Sequence, residues 1–148
     1  MAHTLPMKFV FQIAALVFWP LITGSAFGTD DAEAAVFQSE KVMFRATTVV
    51  AGLEHPWAVA FLPNDELLIT ERPGRLRWYE NGKLHQVIGL PEVTAVRQGG
   101  LLDVALHPNF LVNRTVCFSY SASGNGGVGT EIACAEFNRG LLSGLRVI

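Results

Sequence analysis

The sequence has little charge and almost no cysteine. Charged side chains make up 16% of its 148 residues, against about 25% in an ordinary globular domain. Two cysteines exclude a disulfide-dense scaffold and a CxxC zinc site. Eleven basic side chains against 13 acidic ones leave a net charge of −2. The chain therefore lacks the basic footprint of a nucleic-acid-binding protein. Helical periodicity is also missing. Beyond residue 40 the apolar residues do not recur at i, i+3, i+4 and i+7, which excludes a helix bundle.

The shortage of charge is concentrated at one end. Lys8 is the single charge in residues 1–28, which leaves 10 basic and 13 acidic side chains on the other 120 residues. That remainder has a globular composition and is long enough to bury a core. Residues 1–28 read as a secretory signal. Lys8 supplies the positive start and Phe9–Trp19 the apolar run, interrupted only by Gln12. Pro20 breaks the run, and Ala26-Phe27-Gly28 and Ala32-Glu33-Ala34 both have the small-x-small pattern of a cleavage site. A membrane-spanning helix needs about 20 apolar residues, more than this run provides. The expectation is an exported chain, periplasmic or secreted, without a membrane span after cleavage. Such a compartment permits disulfides.

Residues 29–48 read as a polar spacer with a lead-in strand. After them, short apolar runs alternate with turn signals. Ala58–Leu62 stops at Pro63-Asn64-Asp65, Leu67–Thr70 at Pro73-Gly74, and Leu76–Tyr79 at Asn81-Gly82. Asn-Gly is the strongest short hairpin signal. Leu84–Ile88 follows, and then a second set: Leu101–Leu106, Val116–Tyr120, Ile132–Phe137 and a last run starting at Leu145. The segment from Ala58 to Asn64 lines up with that from Asp103 to Asn109, sharing Val, Ala, Pro and Asn in order. Four strands in about 45 residues is the size of one propeller blade. The expected fold is all-β, a partial β-propeller over residues 49–148. Blade one covers about 53–91. Blade two covers about 98–148 and is expected to be incomplete, its fourth strand only beginning. Trp57, Trp78 and Tyr79 are expected to wedge between blades. A blade buries its faces against neighbouring blades, and a closed propeller has about 4–8 of them. The chain is therefore expected to be the N-terminal part of a longer protein.

The segment Arg97-Gln98-Gly99-Gly100-Leu101-Leu102-Asp103 stands out. Two glycines directly before a buried strand permit close backbone approach. Gln98 brings an amide donor and acceptor suited to a carbonyl or hydroxyl. The residues by themselves leave two readings open: a ligand-contacting turn, or a turn whose glutamine caps a backbone group. Asp103 is open between orienting Gln98 and capping a strand end.

Three stretches carry a family resemblance. They are GLEHPWAVAFLPNDELLITERPGRLRWYENGK (Gly52 to Lys83), QGGLLDVALHPNF (Gln98 to Phe110) and RTVCFSYS (Arg114 to Ser121). In this order they are similar to the soluble pyrroloquinoline-quinone (PQQ) dependent glucose/sorbosone, or aldose sugar, dehydrogenases. The resemblance implies a six-bladed propeller in the full-length family, of which this chain holds two to two-and-a-half blades. It implies oxidation of an aldose at its anomeric carbon, with hydride passing to PQQ beside a bound calcium ion. It places Gln98, Gly99 and Gly100 at the cofactor and sugar pocket. The family's catalytic histidine, arginine and calcium ligands fall in segments that this chain does not contain. No catalytic or metal-binding residue is therefore expected within it. The chain alone is expected to retain neither PQQ nor calcium and to lack activity. His55 and His107 precede prolines and read as turn residues, His85 as a strand residue, and His3 as part of the leader. Two other classes stay open: a non-redox exported propeller, lactonase-like or ligand-binding, and a truncated product without function.

The cysteines admit a geometric test. If Val116–Ser121 pairs with Thr130–Ala135 so that Ser121 faces Thr130, Cys117 falls opposite Cys134. Directly opposed residues have Cβ atoms roughly 4.5–5.5 Å apart, close to disulfide range. A cross-strand disulfide between Cys117 and Cys134 is the resulting expectation.

Overall fold

The computed structural model describes residues 35–148. The expected leader and both expected cleavage sites lie outside the described residues. A hairpin comes first, β1 (Ala35–Gln38) pairing with β2 (Met43–Ala46). The Ser39 hydroxyl oxygen accepts the Val42 N–H at 3.0 Å, and Phe37 stacks on Phe44 with ring centroids 5.5 Å apart. The segment expected as a spacer with one lead-in strand thus carries two. A cross-strand aromatic pair and a serine-closed turn hold them, a pattern too short to show as alternation.

Two four-stranded antiparallel sheets follow, each a simple meander. The first contains β3 (Pro56–Phe61), β4 (Leu67–Glu71), β5 (Arg75–Glu80) and β6 (Lys83–Val87). The second contains β7 (Leu101–Leu106), β8 (Thr115–Gly124), β9 (Gly127–Asn138) and β10 (Leu141–Val147), with the one-turn helix α1 (Phe110–Asn113) between β7 and β8. These are two blades of a β-propeller. Equivalent two-residue turns close β5–β6 and β9–β10. Asn81 and Gly82 have φ of 48° and 77°, and Arg139 and Gly140 have φ of 43° and 86°. Positive φ at both positions matches the right-handed strand twist.

The expected boundary of the last strand needs correction. β10 starts at Leu141, not Leu145, and runs to Val147, so blade two has its full complement of four strands. The reason is a bulge. The pairing of β10 with β9 shifts between Ser143 and Arg146, and Gly144 there has φ of 61°. The extra residue breaks the period-two alternation that makes a strand visible in sequence.

One apolar cluster spans both sheets. Leu68, Leu76, Trp78 and Val87 meet Leu101, Phe118, Tyr120 and Phe137. Trp78 packs edge-on against Phe137 with centroids 5.8 Å apart, and its indole N–H donates to Glu66 Oε2 at 2.8 Å. Trp78 is the wedge between the blades. Trp57 is turned away from blade two and is 51% exposed. Strand alternation turns Trp57, Val59 and Phe61 to the outer face of β3. There Trp57 lines an apolar depression with Val49, Leu67 and Ile69.

Thr70 ties the two sheets. It is fully buried. Its Oγ1 accepts the Ala58 N–H at 3.0 Å, where the β3–β4 register slips between Pro56 and Ala58. It also donates to the Leu102 carbonyl of β7 at 2.6 Å. One hydroxyl therefore repairs a slip within blade one and fastens blade two to it.

Cys117 on β8 lies directly opposite Cys134 on β9, and the two form a disulfide across 17 residues of chain. Closing a loop of that size constrains the unfolded state by about 3 kcal/mol in the chain-entropy account. The protein is expected to show no free thiol on denaturation without reductant and two with it. Replacing both cysteines by serine should lower the unfolding free energy by about 2–3 kcal/mol in a urea titration.

Candidate functional site

The turn Arg97-Gln98-Gly99-Gly100 enters β7 between the two blades. The Gly99 N–H closes it on the Val96 carbonyl at 2.8 Å. Ser121 of β8 holds it from one side. The Gly100 N–H donates to Ser121 Oγ at 3.1 Å, and the Ser121 N–H donates to the Gly100 carbonyl at 2.8 Å. Arg72, just after β4, holds it from the other. Its Nη1 donates to the carbonyls of Arg97 at 3.0 Å and Gly99 at 3.2 Å. Its own carbonyl accepts the Leu101 N–H at 3.0 Å. Both glycines are required by this closeness. A Cβ on Gly99 would lie 2.6 Å from Ser121 Oγ, and one on Gly100 would run into the Arg72 carbonyl.

The turn borders a cavity of about 560 Å³ lined by Arg97, Gln98, Gly99, Leu102, Ser121 and Thr130 among others. Gln98 is exposed on its wall. A primary amide there offers two donors and an acceptor to a carbonyl or hydroxyl. The sequence-expected trio Gln98, Gly99 and Gly100 is thus brought together. Asp103 is not part of it. Its Oδ1 accepts the Val104 N–H at 2.9 Å and its N–H donates to Ser119 Oγ at 3.1 Å. Both bonds sit where the β7–β8 register slips between Leu101 and Val104. The aspartate caps a bulge.

The described histidines have local roles. His107 Nδ1 accepts the Asn109 N–H at 3.0 Å, the His55 carbonyl accepts the Arg72 N–H at 3.0 Å, and the His85 ring lies 5.2 Å from that of Trp78. Among the described residues, no cluster of three or more His, Cys, Asp or Glu side chains could hold a metal ion. The donor set here does not fit calcium, which takes six to eight oxygens. What the turn does offer is an exposed amide on the wall of a cavity, able to hydrogen-bond a carbonyl or hydroxyl oxygen.

Behind the turn lies a buried carboxylate. Glu71 is 1% exposed. Its Oε1 accepts the Glu54 N–H at 2.5 Å and its Oε2 the Arg75 Nε–H at 2.6 Å. Arg75 also pairs with Glu54 at 2.6 Å, and Arg77 lies 3.9 Å from Glu71. Burial pushes the Glu71 carboxyl up. The Arg75 hydrogen bond, the Glu54 N–H and the charges of Arg75 and Arg77 outweigh it and hold the carboxyl below its ordinary 4.5. Tyr120, two strands away, is pushed up to about 12 by burial and by its hydrogen bond to Glu131. It stays a neutral donor at physiological pH.

The glucose/sorbosone dehydrogenase family model matches residues 53–148. The chain belongs to this family. The aldose sugar dehydrogenase YliI of Escherichia coli is 49% identical over 84 residues, covering 54% of this chain and 23% of that protein. The crystal structure of a soluble aldose sugar dehydrogenase from Escherichia coli, in its apo form, superposes with a TM-score of 0.62 at 41% identity. It covers 65% of this chain and 29% of that one. The PQQ-bound aldose sugar dehydrogenase of Streptomyces coelicolor shares the fold, with a TM-score of 0.64 at 22% identity over 79% of this chain and 34% of its own. The chain thus spans 23–34% of the length of these proteins. Sequence reasoning singled out Gln98 and its glycines but passed over Arg72, Ser121 and Glu71. The only signal for the first and last was the Glu71-Arg72 pair inside the ITER-x-G stretch.

Two outcomes follow from this geometry. Gly100→Ala should destabilise the chain by more than about 1 kcal/mol in urea unfolding, because φ of 153° and the Arg72 carbonyl both oppose a Cβ. The lowered Glu71 pKa means its stabilisation is complete above the ordinary value of 4.5 and is lost as pH falls below it. Melting temperature should therefore drop on acidification below about pH 4.5. Glu71→Gln should be less stable near pH 7 and show a shallower acid limb.

Proposed function

We propose that this chain supplies the first two blades of an exported, PQQ-dependent aldose sugar dehydrogenase, with Gln98 on the wall of the cofactor and sugar site. The observation that carries this reading is the Gln98 turn. Its amide stands open on a cavity while Arg72 and Ser121 fix the backbone on either side of it. Family membership supports the reaction class, and the apolar run before Pro20 with the Cys117–Cys134 bridge supports export to the periplasm or beyond.

PQQ, when bound, supplies a quinone that accepts a hydride equivalent from the sugar. Gln98 binds and orients: its amide N–H donates to a cofactor or sugar oxygen, and its carbonyl accepts from a sugar hydroxyl. The glycines let Ser121 and Arg72 close on the turn that carries it. The general base and the calcium ligands belong to parts of the family fold outside these two blades, so the chain by itself turns nothing over.

A chimera tests this directly. Residues 53–148 would replace the matching segment of the soluble Escherichia coli aldose sugar dehydrogenase. It should oxidise aldoses with PQQ, calcium and a dye acceptor, and Gln98→Ala within it should lower kcat/KM about 10- to 100-fold without shifting Tm. Unchanged kcat/KM in that variant would remove Gln98 from the site. Turnover by the isolated chain would overturn the division of the site between segments.

A further inference from the structure

Arg72 holds the turn in an unusual way. Its guanidinium makes no ion pair among the described residues. Nη1 instead bonds two backbone carbonyls, those of Arg97 at 3.0 Å and Gly99 at 3.2 Å. These carbonyls belong to the residues immediately before and after Gln98. The Arg97 carbonyl fixes the peptide plane before residue 98 and the Gly99 carbonyl the plane one residue further on. The plane between them is held by the Gly99 N–H on the Val96 carbonyl at 2.8 Å, and together these set the direction of the Gln98 Cα–Cβ bond. The Arg72 backbone is itself pinned, its N–H on the His55 carbonyl and its carbonyl on the Leu101 N–H, both at 3.0 Å. Arg97 sits at φ of 52°, a region non-glycine residues leave unless something holds them.

We propose that Arg72, a residue of blade one, is the positioning residue that aims Gln98 of blade two into the ligand cavity. The proposal rests on the reading of Gln98 as a cofactor- or sugar-binding residue. Arg72 touches no ligand. It acts through the turn, and a charged donor on two carbonyls is stronger than a neutral one. Lysine is a weaker substitute, because its ammonium sits on a flexible stem without the planar fork.

The test uses the full chain, isotope-labelled, with Arg72→Met, Arg72→Lys, Gln98→Ala and the Arg72→Met/Gln98→Ala double variant. Amide exchange at Gly99 and Leu101 reads the turn. PQQ affinity, which reads the Gln98 side-chain amide, is measured on the same variants in the chimera carrying residues 53–148, because the chain alone is not expected to retain PQQ. In Arg72→Met, Gly99 exchange should quicken about tenfold while exchange in β8 and β9 holds. Its PQQ affinity should fall about tenfold, as in Gln98→Ala, and Arg72→Lys should lie between it and the parent. The double variant should be no weaker than Gln98→Ala, the non-additivity of residues acting through one another. A loss near a hundredfold in the double variant would give Arg72 its own ligand contact and overturn the proposal. So would unchanged Gly99 exchange in Arg72→Met. If that variant loses its fold, the same readings on Arg72→Lys decide. If Gln98→Ala leaves PQQ affinity untouched, the reading of Gln98 falls, and Gly99 exchange still decides whether Arg72 sets the turn.

Discussion

The close approach of Gly100 to the backbone of Arg72 sets how blade two meets blade one. With no side chain between them, the Leu101 N–H reaches the Arg72 carbonyl, and β7 starts against the end of β4. From there Leu101 and Val104 face Leu68 and Leu76 in one cluster. The Thr70 hydroxyl falls within reach of Leu102. A methyl group at residue 100 would push these elements apart, and protein interiors do not absorb such shifts freely. The same closeness shapes the Gln98 turn. The residues that bring the sheets together are the residues that shape the cavity wall.

Burying the junction confines polar groups that need partners, and Thr70, Ser121 and Glu71 have them. Thr70 accepts from Ala58 and donates to Leu102. Ser121 accepts from Gly100 through its hydroxyl and donates to the Gly100 carbonyl through its N–H. Glu71 receives one backbone and one arginine donor. A buried charge is costly unless paired and hydrogen-bonded, which explains why Arg75 and Arg77 sit on the strand next to Glu71. The carboxylate also steadies the strand end from which Arg72 extends. Charge is thus sparse in the composition but used where the blades join.

Local chemistry made much of the fold legible in sequence. Asn81-Gly82 announces its turn because asparagine and glycine accept positive φ readily. The opposition of Cys117 and Cys134 follows from strand periodicity once Ser121 is set against Thr130. What stayed hidden depends on distance or irregularity. β10 was hidden by the Gly144 bulge, and β1 by its shortness. That Trp78 rather than Trp57 meets blade two was hidden too, because apolarity alone does not say which face of a strand meets the next blade. Arg72 was hidden because its partners lie 25 and 27 residues away. In sequence it is one basic residue in a strand-end tetrapeptide. Its role exists only once two blades stand side by side.

That contrast bears on how a propeller builds a site. Each meander folds on local signals, so a blade is readable from about 45 residues. The ligand site is drawn from the ends of several blades, so no single blade contains it. The Gln98 turn shows the intermediate case: its residues belong to blade two, and its geometry belongs to the contact with blade one. A glutamine on a free loop would sample many directions, and ordering it on binding would weaken the complex. Here the ordering is done during folding, by carbonyls already bonded to Arg72 and Ser121. Two blades are the smallest unit in which this glutamine can be preorganised.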